Sequence, residues 1–520
     1  MTDVNDNKTI GISRRSVLRG ATGLATLAGS AAIGAFPLSS PLAAEEAPKP
    51  GGRLIVGIIG AGKAESLNPA VSANRQDLPR LWNLYDNLFR RGDDGRAQPL
   101  LLEEAIPSAD NKVWMLMLRD GVTWHDGSKA TAEDLLYSIK TWSDPKHAGH
   151  GGVKAIIDFA GVRKTGPLSV EVPLHFGVRE FPSTLTMVSF ALVKEGVDNS
   201  KNPIGTGPFK FVSFTPGVRS VYKRHNEYWN GAPLLEELVI DTSFTDESAR
   251  LNALLAGKIH AVDQLPYALA KINKSSRRIT ILNSAGPSFQ AFVFRLDVEP
   301  FKDVRVRQAL RLIPDRQALV DSALNGFGSP GNDLQGKGLQ FFADDFVRER
   351  DVDKARWFLK EAGHADFTVT LDAIGADPSA ILFQQQAKAA GVTVNVNSQD
   401  ASTFWSNYLQ QPLYTTSWDT PLTSLSQWYL TTLFSGARFP ETRYGDEKTD
   451  KLLFDAIAET DDGRAADKWH ALQQAQFDHG GYVSWANANY VDAIAADVRG
   501  VKSTRAGSLG GYNFTRAWIA

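Results

Sequence analysis

From residue 53 onward, short apolar runs alternate with segments in which apolar residues recur every three or four positions. The run Arg53-Leu54-Ile55-Val56-Gly57-Ile58-Ile59, bounded by Gly51-Gly52 and Gly60, predicts a buried strand. Val113 to Leu118 predicts a second, closed by an Asp120-Gly121 turn. Thr131-Ala132-Glu133-Asp134 opens a helix whose apolar face is Leu135, Leu136, Ile139 and Trp142, with Thr131 as N-cap. A further strand-and-helix set spans Phe209 to Gly257 and ends in a helix from Glu247 to Ala256, with Leu251, Leu254 and Leu255 on one face. Helices are predicted from Val304 to Leu312, Arg316 to Leu324 and Val352 to Ala362, stopped by Pro314, Gly326 and Gly363, and Asp303 caps the first. Gly205-Thr206-Gly207-Pro208 predicts a tight corner whose glycines are free to take positive φ. The alternation implies mixed α/β lobes, and 520 residues suffice for roughly two to four of them.

Composition narrows the class. Hydrophobic residues make up 43% and charged residues 22%, which excludes a disordered or fibrous chain. A formal net charge of −2 leaves no electrostatic footprint for nucleic acid or an anionic membrane, so neither is expected as a partner. Cysteine is absent, which removes disulfides, thiolate metal sites, a cysteine nucleophile and lipid attachment through cysteine together. At the N-terminus, Ser13-Arg14-Arg15-Ser16-Val17-Leu18-Arg19, a weakly apolar stretch from Ala21 to about Phe36, and Ala43-Ala44 resemble a twin-arginine export signal over residues 1–44. Thr22, Gly23, Thr26, Gly29, Ser30 and Gly34 break that stretch, which falls short of the ~18 uninterrupted apolar residues of a membrane span. The expectation is a periplasmic chain, exported folded by the twin-arginine machinery, soluble and not lipid-anchored.

Several chemical motifs fail on inspection. Gly57 to Ala64 matches a phosphate-binding loop except at its last position, where Ala64 lacks the hydroxyl that ligates magnesium, and Pro69 follows too soon for the required helix. Glu65 stands where a dinucleotide fingerprint needs glycine, so no nucleotide or other cofactor is expected. His125-Asp126 reads as a turn and not a catalytic dyad. His147 and His150 have no carboxylate between them and sit in a glycine-rich loop, so no metal site is expected. Neither GxSxG nor HExxH occurs after the signal, and no enzyme activity is expected.

Five blocks in order carry a family resemblance. They are Leu84-Tyr85-Asp86-Asn87-Leu88 with Asp94-Gly95 and Pro99; Trp124-His125-Asp126-Gly127 with Thr131 to Asp134; and Asn202 to Phe209 with Asn226-Glu227-Tyr228-Trp229. Ala256-Gly257-Lys258-Ile259 follows, with His260 in place of an aspartate, and then Pro300 to Leu310 with Ala355-Arg356 and Leu359 to Gly363. The set resembles the family 5 solute-binding proteins, the peptide, nickel and related binding components of ABC importers. The resemblance implies an α/β two-lobed periplasmic binding protein (Venus-flytrap) fold of the large type, with an extra subdomain in the first lobe. It implies a lobe I core from residues 45–92, 203–290 and 487–520, an extra subdomain at 93–202, and lobe II at 291–486. The first crossing is expected near Phe289 to Phe294 and the return near Ser484 to Asn489.

An interdomain cleft is the usual place for a small-molecule site. Lobe II holds an aromatic cluster, Phe404, Trp405, Tyr408, Tyr414, Trp418, Trp428 and Tyr429, most of it read as core. Trp418-Asp419-Thr420-Pro421 resembles the tryptophan-containing cleft loop of the family, although Pro421 holds the place where its peptide binders carry an aspartate for the ligand's ammonium. Asp419 is then the nearer ammonium anchor, and Arg295, where the family usually has asparagine, a carboxylate anchor. Ligand contacts are accordingly expected at Asn68, Tyr85, Arg295, Trp418, Asp419 and Trp428. The implied function is capture of short peptides by a monomer and delivery to ABC permease subunits. An opine, an oligosaccharide or a nickel chelate stays open as ligand, and an exported hydrolase or a transporter-independent peptide carrier as role.

Overall fold

The computed structural model describes residues 46–520 apart from Ala73 and residues 419–422. Residues 1–44, expected to form an export signal, and Asp419 therefore lie outside the described residues. The chain enters its main sheet with β1 (Arg53–Ile59) and reaches α1 (Leu78–Leu84). A four-stranded antiparallel sheet follows: β2 (Leu102–Pro107), β3 (Val113–Leu118), β4 (Arg163–Lys164) and β5 (Ser169–Pro173), in the order β2-β3-β5-β4, with α2 (Ala132–Thr141) between β3 and β4. The chain returns to the main sheet through β6 (Phe209–Thr215), β7 (Arg219–Arg224), β8 (Glu237–Phe244), α3 (Glu247–Leu255) and β9 (Ala261–Val262). The long β10 (Ile279–Phe294) leads into α4 (Val304–Leu312), α5 (Arg316–Ala323), β11 (Gly328–Pro330) and α6 (Val352–Glu361). Then come β12 (Phe367–Ile374), α7 (Pro378–Lys388), β13 (Val392–Gln399), α8 (Ala401–Asn407) and β14 (Leu413–Trp418). Three helices, α9 (Leu425–Thr432), α10 (Glu447–Ile457) and α11 (Asp462–His479), precede a second long strand, β15 (Tyr482–Ala495). Among the described residues no helix is long and apolar enough to cross a membrane.

The main sheet runs β13-β12-β14-β10-β15-β9-β1-β8-β7-β6, with β11 beside β15. It contains two parallel groups, β1 with β8 and β9, and β12 with β13 and β14. The antiparallel pair β10 and β15 runs through both, and its register breaks between Ala285 and Phe289. One hydrophobic core lies around Leu54, Val56, Ile58, Ile240 and Val491, and a second packs α4 to α7 on one face of the other half, around Phe292, Phe383 and Trp485. The third covers the opposite face of that half and joins Trp114, Phe181 and Phe190 to Trp428, Trp469 and Tyr482.

Local sequence explains where the helices start. Aspartates 246, 303, 315, 351, 377, 400, 446 and 461 each cap a helix through a backbone N–H two or three residues on, worth ~1 kcal/mol apiece. Thr131 forms a capping box with Asp134. Gly326 and Gly363, which follow α5 and α6, take φ of +85° and +79°, the left-handed geometry that ends a helix.

Three of the sequence blocks meet in one knot. The Asp86 carboxylate is buried and accepts hydrogen bonds from Tyr228 Oη (2.8 Å), Trp229 Nε1 (3.0 Å) and Thr206 Oγ1 (3.1 Å). His125 accepts from Gly205 N at Nδ1 (3.2 Å) and donates from Nε2 to Gly207 O (3.0 Å), so it is a neutral imidazole, and burial pushes it down to about 3. The two glycines do not take positive φ, contrary to the expectation from sequence. A Cβ on Gly205 would lie 1.9 Å from Leu84 O and one on Gly207 2.6 Å from Leu84 C, so close backbone approach is what excludes a side chain. The fifth block and the residue after it serve the C-terminus of α11 and the turn into β15: Arg307 donates to His479 O (2.9 Å), and the buried Arg311 to Phe477 O (3.0 Å) and Tyr482 O (3.1 Å).

Candidate functional site

In the β12-β13-β14 group the strands run the same way, so Ile374, Gln399 and Trp418 end on one edge, and Phe289 of β10 pairs with Trp418 there. The carboxyl edge of parallel strands is where open α/β sheets bind ligands. A cavity of about 170 Å³ opens on this edge, walled by Gln290, Thr415 to Ser417, Ile374, Trp405 and Trp485, with Asp377 and Ser379 at the start of α7. Asp377 is already engaged, accepting from Ser379 N (2.8 Å) and Ser379 Oγ (2.7 Å). No Lys or Arg is among its lining residues, and apart from the Asp377 carboxylate its walls are aromatic, apolar and neutral-polar. Trp405 is 48% exposed and stands edge-on to Phe404 and Tyr408 (ring centroids 5.1 Å apart in each case), a rigid aromatic face at the rim.

Trp418 ends β14 half-buried. Its indole N–H donates to Glu441 Oε1 (3.2 Å), and its ring meets Trp428 edge-on at 5.1 Å. Trp428 is buried beneath it, against Phe289 at 5.0 Å, so it backs Trp418 and does not reach solvent. Asn68 lies in the loop that follows β1 and its short 3-10 turn; its Oδ1 accepts from Ala70 N (3.0 Å). Tyr85 is buried and donates to Leu67 O (3.1 Å), which braces that loop from behind. Asn68 with Tyr85, and Trp418 with Trp428, are thus brought together as two pairs.

Arg295 is placed elsewhere. It follows Phe294, which pairs with Leu413, whereas Trp418 pairs with Phe289 five residues back along β10, about 17 Å away at strand rise. Its guanidinium is taken by Asp297 (3.0 and 2.6 Å) and Gln410 O (2.8 Å). The structure does not bring it to the cavity, because strand direction puts it on the opposite edge of the sheet. The remaining sequence candidates are structural. His147 Nδ1 accepts from Gly149 N (3.1 Å), His150 Nδ1 meets Trp142 O (3.0 Å), and Asp126 pairs with Lys194. Among the described residues no group of three His, Cys, Asp or Glu is placed to hold a metal. Glu65, at the third-glycine position of the nucleotide look-alike, accepts from Arg80 (2.7 Å), Thr242 (2.9 Å) and Gly217 N (3.0 Å) and fastens the loop after β1.

Sequence reasoning missed Gln290, Ser379, Trp485 and Glu441. Asp377-Pro378-Ser379 carries a readable helix start, since aspartate followed by proline fits N-cap and N1. Trp485 sits in an apolar strand and Glu441 in a polar loop, and nothing local distinguishes either.

Comparison with known proteins adds to this geometry. The profile of the bacterial extracellular solute-binding proteins, family 5 Middle, matches residues 96–440. The glutathione-binding protein GsiB of Pectobacterium atrosepticum is 25% identical over 406 residues, 73% of this chain and 78% of its own. Among solved structures, the ABC transporter substrate binding protein CtaP from Listeria monocytogenes superposes with a TM-score of 0.80 at 23% identity, covering 91% of this chain and all of its own (100%). The ABC transporter-associated periplasmic binding protein DppA from Helicobacter pylori, in complex with peptide STSA, reaches 0.75 at 19% identity, covering 91% and 99%. The fold is the two-lobed α/β fold of such binding proteins.

Proposed function

We propose, from the premise that the chain belongs to the bacterial extracellular solute-binding proteins of family 5, that it captures short peptides in the cleft between two lobes and delivers them to an ABC permease. The observation that carries this reading is the cavity at the carboxyl ends of β12 and β14, where Trp405 offers a ring and Gln290, Thr416 and Ser417 offer neutral hydrogen-bonding groups. Such groups match the amides of a peptide backbone. The relatives support it, since one is named for glutathione and another holds a peptide.

Lobe I takes in residues 45–92, 203–290 and 487–520, with 93–202 as its extra subdomain, and lobe II takes in 291–486. The register break between Ala285 and Phe289 is the hinge. Ligand contacts from both lobes favour the closed form, the form that docks on the permease. Asn68, Trp418 and Asp419 are assigned to ligand contact with Trp405 added, while Tyr85 and Trp428 brace them. The chain works as a monomer and reaches the periplasm through its twin-arginine signal; without cysteine it carries no lipid anchor there.

A sugar-like ligand has one observation behind it, the absence of Lys and Arg from the cavity walls, which suits an uncharged ring stacked on Trp405. Native mass spectrometry of the purified protein identifies what it carries, and thermal-shift assays with di- to pentapeptides and oligosaccharides separate the two readings. A rise in melting temperature with a sugar and with no peptide overturns the peptide reading. Replacing Arg14 and Arg15 by lysine is expected to leave the precursor in the cytoplasm on cell fractionation; unimpaired export would exclude the twin-arginine route.

A further inference from the structure

Glu441 lies between α9 and α10 in Phe439-Pro440-Glu441-Thr442-Arg443, a stretch that reads as an exposed loop, yet only 1% of it is accessible. Three donors converge on its carboxylate: Thr416 Oγ1 (3.3 Å) and Trp418 Nε1 (3.2 Å) on Oε1, and Tyr482 Oη (2.8 Å) on Oε2. Tyr414 Oη donates to its main-chain carbonyl (3.3 Å). No Lys or Arg pairs with it among the described residues; the titratable groups facing it are the phenols of Tyr482 and Tyr414, with Tyr408 beyond. A buried carboxylate with no cation is costly, and an apolar residue would fill the same space more cheaply. One of its three donors, Thr416, lines the cavity, and Trp418, two residues on, shares that face of β14 at the end of the strand.

We infer that Glu441 is the positioning residue of the binding site, fixing the indole of Trp418 and the hydroxyl of Thr416 from the face of β14 that their side chains share. The inference rests on the proposed role of Trp418, but the coupling itself exists without ligand. An ionised carboxylate makes charge-assisted bonds to Trp418 and Thr416, and protonation weakens them. Burial pushes Glu441 up to about 7, so the switch falls in a range that a periplasmic chain meets.

The test uses the full chain without ligand. The indole N–H resonance of Trp418, assigned by its loss in Trp418→Phe, is followed by two-dimensional NMR between pH 5.5 and 8.5. It is expected to shift with a midpoint near 7, to lose that pH dependence in Glu441→Gln, and to shift at a higher midpoint in Tyr482→Phe, which removes one donor from the carboxylate. If the Trp418 resonance does not move with pH in the wild-type chain, the proposal is overturned without any variant. A second arm measures affinity for glutathione and for tri-alanine across the same pH range in wild type and Glu441→Gln. Loss of the pH dependence in the variant supports the proposal, whereas an unchanged one overturns it. Failure of both probes to bind, with the Trp418 titration present, refutes the peptide reading and leaves the positioning role standing.

Discussion

Two knots in this protein are built from the same parts. Asp86 and Glu441 are both buried carboxylates with no ion pair among the described residues, although the Arg90 cation acts on Asp86 through space, and each accepts from one tyrosine, one tryptophan and one threonine. What surrounds them differs. At Asp86 the tryptophan, Trp229, is covered by the Arg119 guanidinium at 5.5 Å, and the backbone of Leu84 closes against Gly205 and Gly207. At Glu441 the tryptophan ends a strand beside a cavity and adjoins Asp419. One arrangement closes a structure; the other holds a side chain at a surface. Identical donor chemistry therefore says little about role until it is known what the tryptophan faces.

The strongest way to break the comparison is Asp86→Ala. It orphans the buried Tyr228 and Thr206 hydroxyls and the half-buried Trp229 indole, and is expected to cost about 3 kcal/mol or more, read from urea denaturation. An unchanged midpoint would mean the knot is not structural. Trp428→Ala removes the buried support of Trp418 and should cost about 3–5 kcal/mol, with affinity reduced as a consequence. Trp418→Phe should separate the two knots next. It is expected to weaken binding of the co-purifying ligand about tenfold, ~1.4 kcal/mol, with little change in melting temperature, whereas Trp229→Phe should lower stability and leave affinity alone.

A third buried carboxylate sharpens the picture through pH. Glu180 accepts from Ser426 Oγ at the N-terminus of α9, just after the 419–422 segment, and burial raises it to about 7. The native state thus holds its proton more tightly than the unfolded chain, whose glutamate titrates near 4.5. Its contribution is full below about 4.5 and is lost as pH rises through about 7. The melting temperature of wild type relative to Glu180→Gln should therefore fall between pH 5 and 8, and a constant difference would contradict the assignment. Smallest of all, Arg295→Ala should leave affinity unchanged and stability within about 0.5 kcal/mol, because its partly exposed pair with Asp297 sits on the far edge of the sheet.

Much of the fold was legible in local chemistry. Strands β1 and β3 and helix α4 occupy the residues that periodicity predicts, and α3, α5 and α6 end one residue earlier. Asp303 and Thr131 cap as expected, because a cap depends on three or four neighbouring residues. The motif blocks identified the family, yet Asp86, His125 and Arg307 within them serve internal hydrogen bonds. The site was less legible. Trp418 stood out by its turn-rich surroundings, whereas the sequence did not show that Arg295 lies away from the cavity: residues a few positions apart on one strand reach opposite ends of it, and only pairing register reveals which end meets Trp418.

By itself the sequence determined the element boundaries, the helix caps, the absence of cysteine chemistry and the family. All of these depend on composition or on residues close in the chain. Only the tertiary structure decided that Gly205 and Gly207 serve close approach and not positive φ, that Trp428 supports while Trp405 is presented, and that a loop glutamate 23 positions from Trp418 holds its indole. Each of those depends on which distant segments share a face, and burial and hydrogen-bond partnership are properties of that packing, not of any local run of residues.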